Sequence, residues 1–176
     1  MTLTAKQNEI LNSVAADIGV LPLDLYNLIY FESKFNPTAK NINSSARGIL
    51  QFIDSTARDL GYENSLDLVT KNPTIEQQLN SPVRDYLNKY KPYPTLQSLH
   101  MAVFYPAAQY WPPDKKFPAN VTLSNPGIKT PADYMTLAAK GGSVLNPLAK
   151  IDLKKLPTAA LLIAGAVLIY LFTKDV

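Results

Sequence analysis

Apolar residues recur three and four positions apart along most of the chain, and this spacing constrains the fold more than any other feature. Residues at that spacing share one face of an α-helix. No segment alternates apolar and polar residues for more than a few positions, so no strand of useful length is predicted. The sequence therefore predicts a mainly α-helical domain. At 176 residues the chain is long enough to bury a core.

Capping patterns, prolines and glycines place the predicted helices. Thr4 and Gln7 have the spacing of a capping box, and Gly19 ends the first helix. Pro22 opens the second helix, which is predicted to run to about Lys34. Further helices are predicted to start near Asp54, Asn72, Leu96 and Thr130.

Prolines also mark the predicted irregular segments. Asn36 and Pro37 are predicted to stop the second helix, and Pro82 to kink or break the helix that starts near Asn72. Residues 110–126 contain several prolines and are predicted to form a long loop. The final helix is predicted to end at Gly141.

An uncharged stretch near the C-terminus sets the domain organisation. Residues 156–172 read "LPTAALLIAGAVLIYLF", and as a helix they would span about 25 Å, at the short end of what crosses a bilayer. We expect a single transmembrane anchor at 156–173, a linker at 143–155 and a helical domain at 1–142. The alternative is a buried C-terminal helix, although core helices of this length rarely lack a polar face.

Composition excludes several classes of site. The net charge of +3 is too small to indicate a nucleic-acid partner. The chain has no cysteine and a single histidine, His100, so neither a thiolate nucleophile nor a His-rich zinc site is available. His100 is predicted to be structural. Any catalysis therefore falls to carboxylates, hydroxyls and amides, or is absent.

One glutamate lies on the apolar face of the second helix. With Leu25 at zero and about 100° per residue, Leu28 falls near −60°, Ile29 near +40° and Glu32 near −20°. Burial disfavours a carboxylate and raises its pKa, as a general acid at neutral pH requires. The structural alternative is a glutamate paired with an arginine or reaching water at the helix end.

Four short motifs resemble the lysozyme-like lytic transglycosylases of the SLT and goose type. Residues 32–39, "ESKFNPTA", and 45–51, "SARGILQ", resemble the Glu-Ser segment and the Gly-Leu-Met-Gln element of that family. Residues 101–108, "MAVFYPAA", resemble its Ala-Tyr-Asn-Ala-Gly element, and 125–135, "NPGIKTPADYM", its closing segment. The resemblance extends over roughly 21–139 and implies a mainly α, lysozyme-like catalytic domain.

The resemblance implies a role for each matching position. Glu32 would be the catalytic acid and base. Tyr105 would donate its hydroxyl to Glu32, while Tyr134 would line the cleft. Pro106 stands where the family has asparagine, which puts one substrate contact in doubt. As ordinary core or rim aromatics, the two tyrosines would have no such role.

Three further positions would support substrate binding. Ser33 would hydrogen-bond near the substrate or the carboxylate, or else only to its own helix. Gln51 would contact a sugar, unless it is a surface amide. Gly48 would let the backbone approach the saccharide closely.

The implied activity is cleavage of the β-1,4 bond between N-acetylmuramic acid and N-acetylglucosamine in peptidoglycan, with no cofactor and with 1,6-anhydro products. A lysozyme-type muramidase would use water with Glu32 and a second carboxylate, Asp54 or Asp59. A non-enzymatic membrane or virion protein with a glycan-binding fold is a third possibility.

The N-terminal sequence "MTLTAKQNEILNSVAADIG" does not resemble a signal peptide. Together with the anchor, this leads us to expect a phage enzyme, carried in the virion membrane with other virion proteins, that opens the host wall during genome entry. A conjugation or secretion-system enzyme is the cellular alternative.

Overall fold

A computed structural model describes residues 2–141. The predicted linker and membrane anchor lie outside these residues. The described chain is mainly helical, as predicted, and has no strand; isolated bridges join Arg47 to Lys40 and to Phe52. The helices are α1 (Ala5–Ile18), α2 (Pro22–Ser33), α3 (Asp54–Asp59), α4 (Ser65–Lys71), α5 (Ile75–Gln78), α6 (Arg84–Tyr90), α7 (Leu96–Phe104), α8 (Ala119–Ser124) and α9 (Pro131–Gly141).

The first two helices follow the predicted signals at three of their four ends. The capping box of Thr4 is present, Gly19 ends α1 in the left-handed conformation at φ 75°, and Pro22 opens α2. The C-terminus of α2 differs slightly, because the helix ends at Ser33, before Asn36 and Pro37. Lys34 and Phe35 both adopt left-handed backbone, and the chain turns so that the Phe35 ring is fully buried.

The middle of the chain is more broken than predicted. Helix α4 was not predicted, because a helix of seven residues is too short to show a clear period; Asn64 caps it. Helix α5 starts three residues later than predicted, after a capping box at Thr74. The predicted interruption at Pro82 is a single stretch of π-helix, Leu79–Val83, which joins α5 to α6.

The predicted long loop at 110–126 contains helix α8, so that prediction was wrong in part. Helix α8 has no buried residue, and therefore its sequence shows no apolar stripe. Helix α9 begins as predicted, where Thr130 and Asp133 exchange backbone-to-side-chain hydrogen bonds. It ends at Gly141, the last residue described.

Two groups of buried residues hold the described domain together. The larger core is mainly aliphatic and takes residues from α1 through α7. The smaller cluster contains Met101, Ala108, Phe117, Tyr134 and Ala138, with Phe31 and Phe104 among the rings packed against it. Helix α2 contributes to both.

Within residues 2–141, no single helix is long and apolar enough to cross a membrane. The consecutive helices α1 and α2 pass a length and composition test only as a pair, and they are bent by 110° relative to each other.

Candidate active site

A cavity of about 580 Å³ opens beside the C-terminal end of α2. Glu32 and Gln51 line it on one side, and Tyr105 and Pro106 line it where α7 ends. The remaining wall is rich in rings. Aromatic residues in the wall include Phe31, Phe52, Tyr86, Tyr90 and Phe104. The cavity therefore brings Glu32, Gln51 and Tyr105 together, although they are far apart in sequence.

Glu32 combines dense packing with access to the cavity. Its side chain is only partly exposed, and Oε1 accepts a hydrogen bond of 3.0 Å from the hydroxyl of Tyr134. Burial raises the pKa of Glu32 to about 7, while the Tyr134 hydrogen bond opposes that rise. A substantial fraction of Glu32 is therefore protonated near neutral pH, and Oε2 is left to carry the proton.

Tyr134 approaches Glu32 from helix α9, and three rings hold it there. Its ring lies 4.4 Å from that of Phe104, 5.5 Å from that of Phe31 and 5.9 Å from that of His100, between centroids. Burial and the neighbouring Glu32 raise the pKa of the Tyr134 hydroxyl, which stays a hydrogen-bond donor. The expectation that Tyr134 lines the cleft was wrong, because this residue is buried and bonds to the carboxylate.

Tyr105 does not make the predicted hydrogen bond to Glu32, because Tyr134 occupies that position. Tyr105 is the residue that ends α7, and its ring packs edge-on against Trp111 at 5.9 Å and Phe117 at 5.8 Å. It lines the cavity together with Pro106. The two tyrosines thus have the reverse of the arrangement that the resemblance implied.

Ser33 ties α2 to the 48–51 turn, which carries Gln51 of the cavity wall. Its hydroxyl donates to the carbonyl of Ile49 at 2.8 Å, and its contact with the carbonyl of Ile29 in its own helix is longer, at 3.4 Å. Ser33 therefore positions Glu32 relative to the 48–51 turn. Its hydroxyl is directed at a backbone carbonyl and not at the carboxylate.

Gln51 lies in the cavity wall in a strained backbone conformation. Its φ is 52°, in the left-handed region that non-glycine residues rarely adopt. The side-chain nitrogen donates to the carbonyl of Gly48 at 2.9 Å, which fixes the amide across its own turn. Gln51 lines the cavity, and its contact with a sugar stays a prediction.

The interior of the protein requires a glycine at position 48. Its φ is 78°, and a β-carbon there would lie 2.6 Å from Oε1 of Gln78 and 3.0 Å from Cγ1 of Val69. Close approach of the Gly48 backbone to a saccharide stays a prediction. The glycine makes room for the residue that supports the turn from behind.

That residue, Gln78, was missed from the sequence. It is buried; Oε1 accepts from the amide of Ile49 at 2.8 Å, and Nε2 donates to the carbonyls of Pro37 and Asn72, each at 2.8 Å. One side chain thus links the turn at Pro37, the 48–51 turn and the end of α4 to α5. The available signal was its position three residues after buried Ile75, on the apolar side of its helix.

The two carboxylates considered as partners of Glu32 have different surroundings. Oδ1 of Asp54 accepts from the amide of Ser65 at 3.0 Å and from its hydroxyl at 2.7 Å, and these bonds lower the pKa of Asp54. Asp54 therefore joins α3 to α4 and makes no side-chain cap on its own helix. Asp59, at the end of α3, is exposed and lines the cavity.

His100 lies behind the site on α7. It is buried, its Nδ1 has no hydrogen-bond partner among the described residues, and burial lowers its pKa to about 4. A neutral imidazole packed on Phe31 and Tyr134 agrees with the predicted structural role. No group of three or more His, Cys, Asp or Glu residues within 2–141 could hold a metal ion.

The comparisons with known proteins add one finding. Residues 10–83 match the family model described as the transglycosylase SLT domain. Neither the curated proteins nor the solved structures gave a match. The matched stretch contains Glu32, Gly48 and Gln51. Over that part, which is less than half of its length, the chain is similar to the SLT domain, and this similarity supports lytic transglycosylase activity on peptidoglycan.

Proposed function

We propose that the protein is a peptidoglycan lytic transglycosylase that cleaves the bond between N-acetylmuramic acid and N-acetylglucosamine and leaves 1,6-anhydro ends. The observation that carries the proposal is Glu32, whose pKa is raised to about 7 at the edge of a cavity of about 580 Å³. A carboxyl with that pKa can donate a proton and take one back at neutral pH. The similarity of residues 10–83 to the SLT domain supports the same reaction class.

In the proposed reaction the proton leaves Glu32 and later returns to it. Protonated Glu32 donates from Oε2 to the bridging oxygen, and the bond from that oxygen to C1 of the muramic acid breaks. The C6 hydroxyl of the same sugar bonds to C1, and its proton passes to Glu32. Tyr134 donates to Oε1 throughout and stabilises the carboxylate in between. Because the nucleophile is intramolecular, its effective concentration is high and no second carboxylate is needed.

The test is the mass of the products released from purified peptidoglycan. The proposal expects muropeptides that end in 1,6-anhydro-N-acetylmuramic acid, each one water lighter than the reducing-end form. The matched control is Glu32→Gln, which keeps the shape of the side chain and removes the acid. Reducing ends as the main product would contradict the transglycosylase assignment.

A hydrolase is the second candidate function, because Asp59 is in a position to serve as a second carboxylate. Asp59 lines the same cavity as Glu32 and could activate a water molecule. An inverting enzyme needs its two carboxylates about 6.5–9.5 Å apart, and a retaining enzyme about 5–5.5 Å. Reducing-end products that disappear in Asp59→Asn would favour this candidate.

Attachment to a membrane is a further part of the proposal. The uncharged run at 156–172 follows Lys154 and Lys155 and precedes Lys174, a pattern typical of a single transmembrane segment. We expect it to hold the domain next to the wall, and the virion membrane of a phage remains our prediction for which membrane it is. Deleting residues 156–176 should release the protein from detergent or lipid with its activity intact. Aggregation of the truncated chain would indicate instead a helix that packs on the domain.

A further inference from the structure

The cavity wall contains charged groups that the proposed reaction does not use. Of the described residues that line it, three carry a carboxyl or amino group in the side chain: Glu32, Asp59 and Lys89. Glu32 acts on the glycosidic bond. Lys89 is the one basic side chain in this part of the wall, and most of the other polar groups there are neutral amides or hydroxyls. Neutral groups suit a sugar chain, so the cation requires a separate explanation.

Lys89 sits on a wall that is held in place from behind. Its Nζ lies over the ring of Tyr90, 5.9 Å from the centroid, and Tyr90 packs on Tyr86 at 4.9 Å. Tyr86 is buried, its hydroxyl donates to the carbonyl of Ala102 at 2.6 Å, and its ring meets that of Phe52 at 5.3 Å. A continuous series of ring contacts therefore connects the residue after Gln51 to the ammonium group of Lys89.

The ammonium group is available for a ligand. Lys89 is exposed, and none of the ion pairs formed within residues 2–141 involves it. Lys91, two positions further on, does not line the cavity. Its Nζ donates instead to the carbonyl of Asp17 on α1, at 3.4 Å. Lys89 and Lys91 thus form a matched pair, one facing the cavity and one facing away.

We propose that Lys89 binds a carboxylate carried on the lactyl branch of the muramic acid, and so makes the site prefer acidic glycan over neutral glycan. The inference rests on the proposed function, because it takes peptidoglycan as the ligand. In peptidoglycan that branch carries either a stem peptide with free carboxylates or, on bare strands, the lactyl acid itself. Both offer the oxygen pair that an ammonium group at the cavity wall attracts.

The test is a binding titration with the full-length chain carrying Glu32→Gln, so that the ligand is not consumed. Three ligands are compared: the N-acetylglucosaminyl-N-acetylmuramic acid disaccharide with its tetrapeptide stem, the same molecule with every carboxylate converted to an amide, and the disaccharide with a free lactyl acid. At low salt the acidic ligands should bind about two- to fivefold more tightly than the amide, as expected for one exposed ion pair. The preference should fade as salt is raised.

The variants Lys89→Gln and Lys91→Gln, each made in the Glu32→Gln chain, decide the outcome. Lys89→Gln should abolish the preference while leaving the affinity for the neutral amide unchanged, and Lys91→Gln should keep the preference. Which acidic ligand loses affinity in Lys89→Gln identifies the source of the carboxylate. An acid preference that survives in Lys89→Gln, or is absent in the parent, would overturn the inference while neutral binding still supports the proposed function. If no ligand binds, both are overturned.

Discussion

The two buried clusters of the domain differ in composition and in what they do for the site. The larger core packs aliphatic side chains from seven successive helices and sets the position of α2. The smaller cluster packs rings from α7, the 105–117 segment and α9, and it sets the position of Tyr134. Helix α2 lies between them, with Leu28 and Ile29 in the first and Phe31 packed against the second.

The difference shows how a glutamate can be buried and still reach a ligand. Burial raises the pKa of Glu32, and Tyr134 of the aromatic cluster supplies a single hydrogen bond that limits the rise. The similarity to the SLT domain follows the same division. It ends at residue 83 and so covers much of the aliphatic core, but neither Tyr105 nor Tyr134.

The largest expected effect is at the boundary between the two clusters. Glu32→Gln should keep the fold and lower wall-lytic activity by about a thousandfold or more, because one residue serves as both acid and base. Turbidity loss of a peptidoglycan suspension measures the activity, and circular dichroism checks the fold. Activity near that of the wild type would contradict the assignment of Glu32.

A change within the aliphatic core should act on stability and not on chemistry. Leu11, on α1, is 2% exposed and does not line the cavity, so Leu11→Ala should cost about 2–5 kcal/mol of unfolding free energy. The pH dependence of the remaining activity should be unchanged. The control is Leu123→Ala on α8, where the leucine is 80% exposed and little loss is expected. Urea denaturation at one pH compares the two.

Glu32 should also make stability depend on pH. In the folded protein its pKa is about 7, raised from an ordinary 4.5, so the folded state holds a proton that the unfolded chain has released between those values. Stability therefore falls as pH rises from 4.5 to 7, by about 3 kcal/mol at most. Glu32→Gln should match the wild type near pH 4 and exceed it at pH 8. An equal difference at both pH values in urea denaturation would contradict the raised pKa.

His100 should contribute the opposite slope. Its pKa is lowered to about 4, so it is neutral in the fold and charged in the unfolded chain below its ordinary 6.5, and this part of the stability is lost as pH falls. Since Glu32→Gln leaves His100 in place, the variant should still lose stability on the acid side. Glu32→Gln alone therefore separates the Glu32 contribution to the pH dependence of stability from that of His100.

Much of the aliphatic core could be predicted from the sequence, because helical periodicity indicates which residues of one helix are buried together. It placed Glu32 at the centre of the apolar face of α2 and gave the ends of α1 correctly. It missed Gln78, because α5 has only four residues and is too short for the spacing of Gln78 from buried Ile75 to stand out. Short α4 and exposed α8 were missed because neither carries a readable apolar stripe.

The aromatic cluster depends on contacts between distant helices, which periodicity within one helix does not indicate. The Tyr134 to Glu32 bond joins residues 102 positions apart, and it forms only because α9 docks against α2 and α7. Tyr105 follows helix α7 directly, and its sequence context gave no sign that its ring turns toward Trp111 and Phe117. The resemblance identified both tyrosines but gave each of them the role of the other.

Replacing each tyrosine in turn tests which of the two bonds to Glu32. Tyr134→Phe removes the donor that stabilises the Glu32 carboxylate, so the pKa of Glu32 should rise and the alkaline limb of kcat/KM should move to higher pH. Activity at neutral pH should fall about fivefold, the effect of one lost hydrogen bond. Tyr105→Phe is the control and should leave that limb in place. A shift in Tyr105→Phe instead would restore the arrangement implied by the resemblance.

The smallest expected effect is that of Asp54→Asn, which tests whether a second carboxylate acts. Asp54 accepts from the amide and hydroxyl of Ser65, and an asparagine oxygen can accept the same bonds, so only a small fall in Tm is expected. Asp54 is absent from the cavity wall, and therefore the product masses and turnover should not change. Collapse of turnover in Asp54→Asn, with reducing ends as the main wild-type product, would instead make Asp54 the partner of Glu32 in a hydrolase. If the wild type and Asp54→Asn both release the anhydro product, Glu32 acts without Asp54, as expected because Asp54 does not line the cavity.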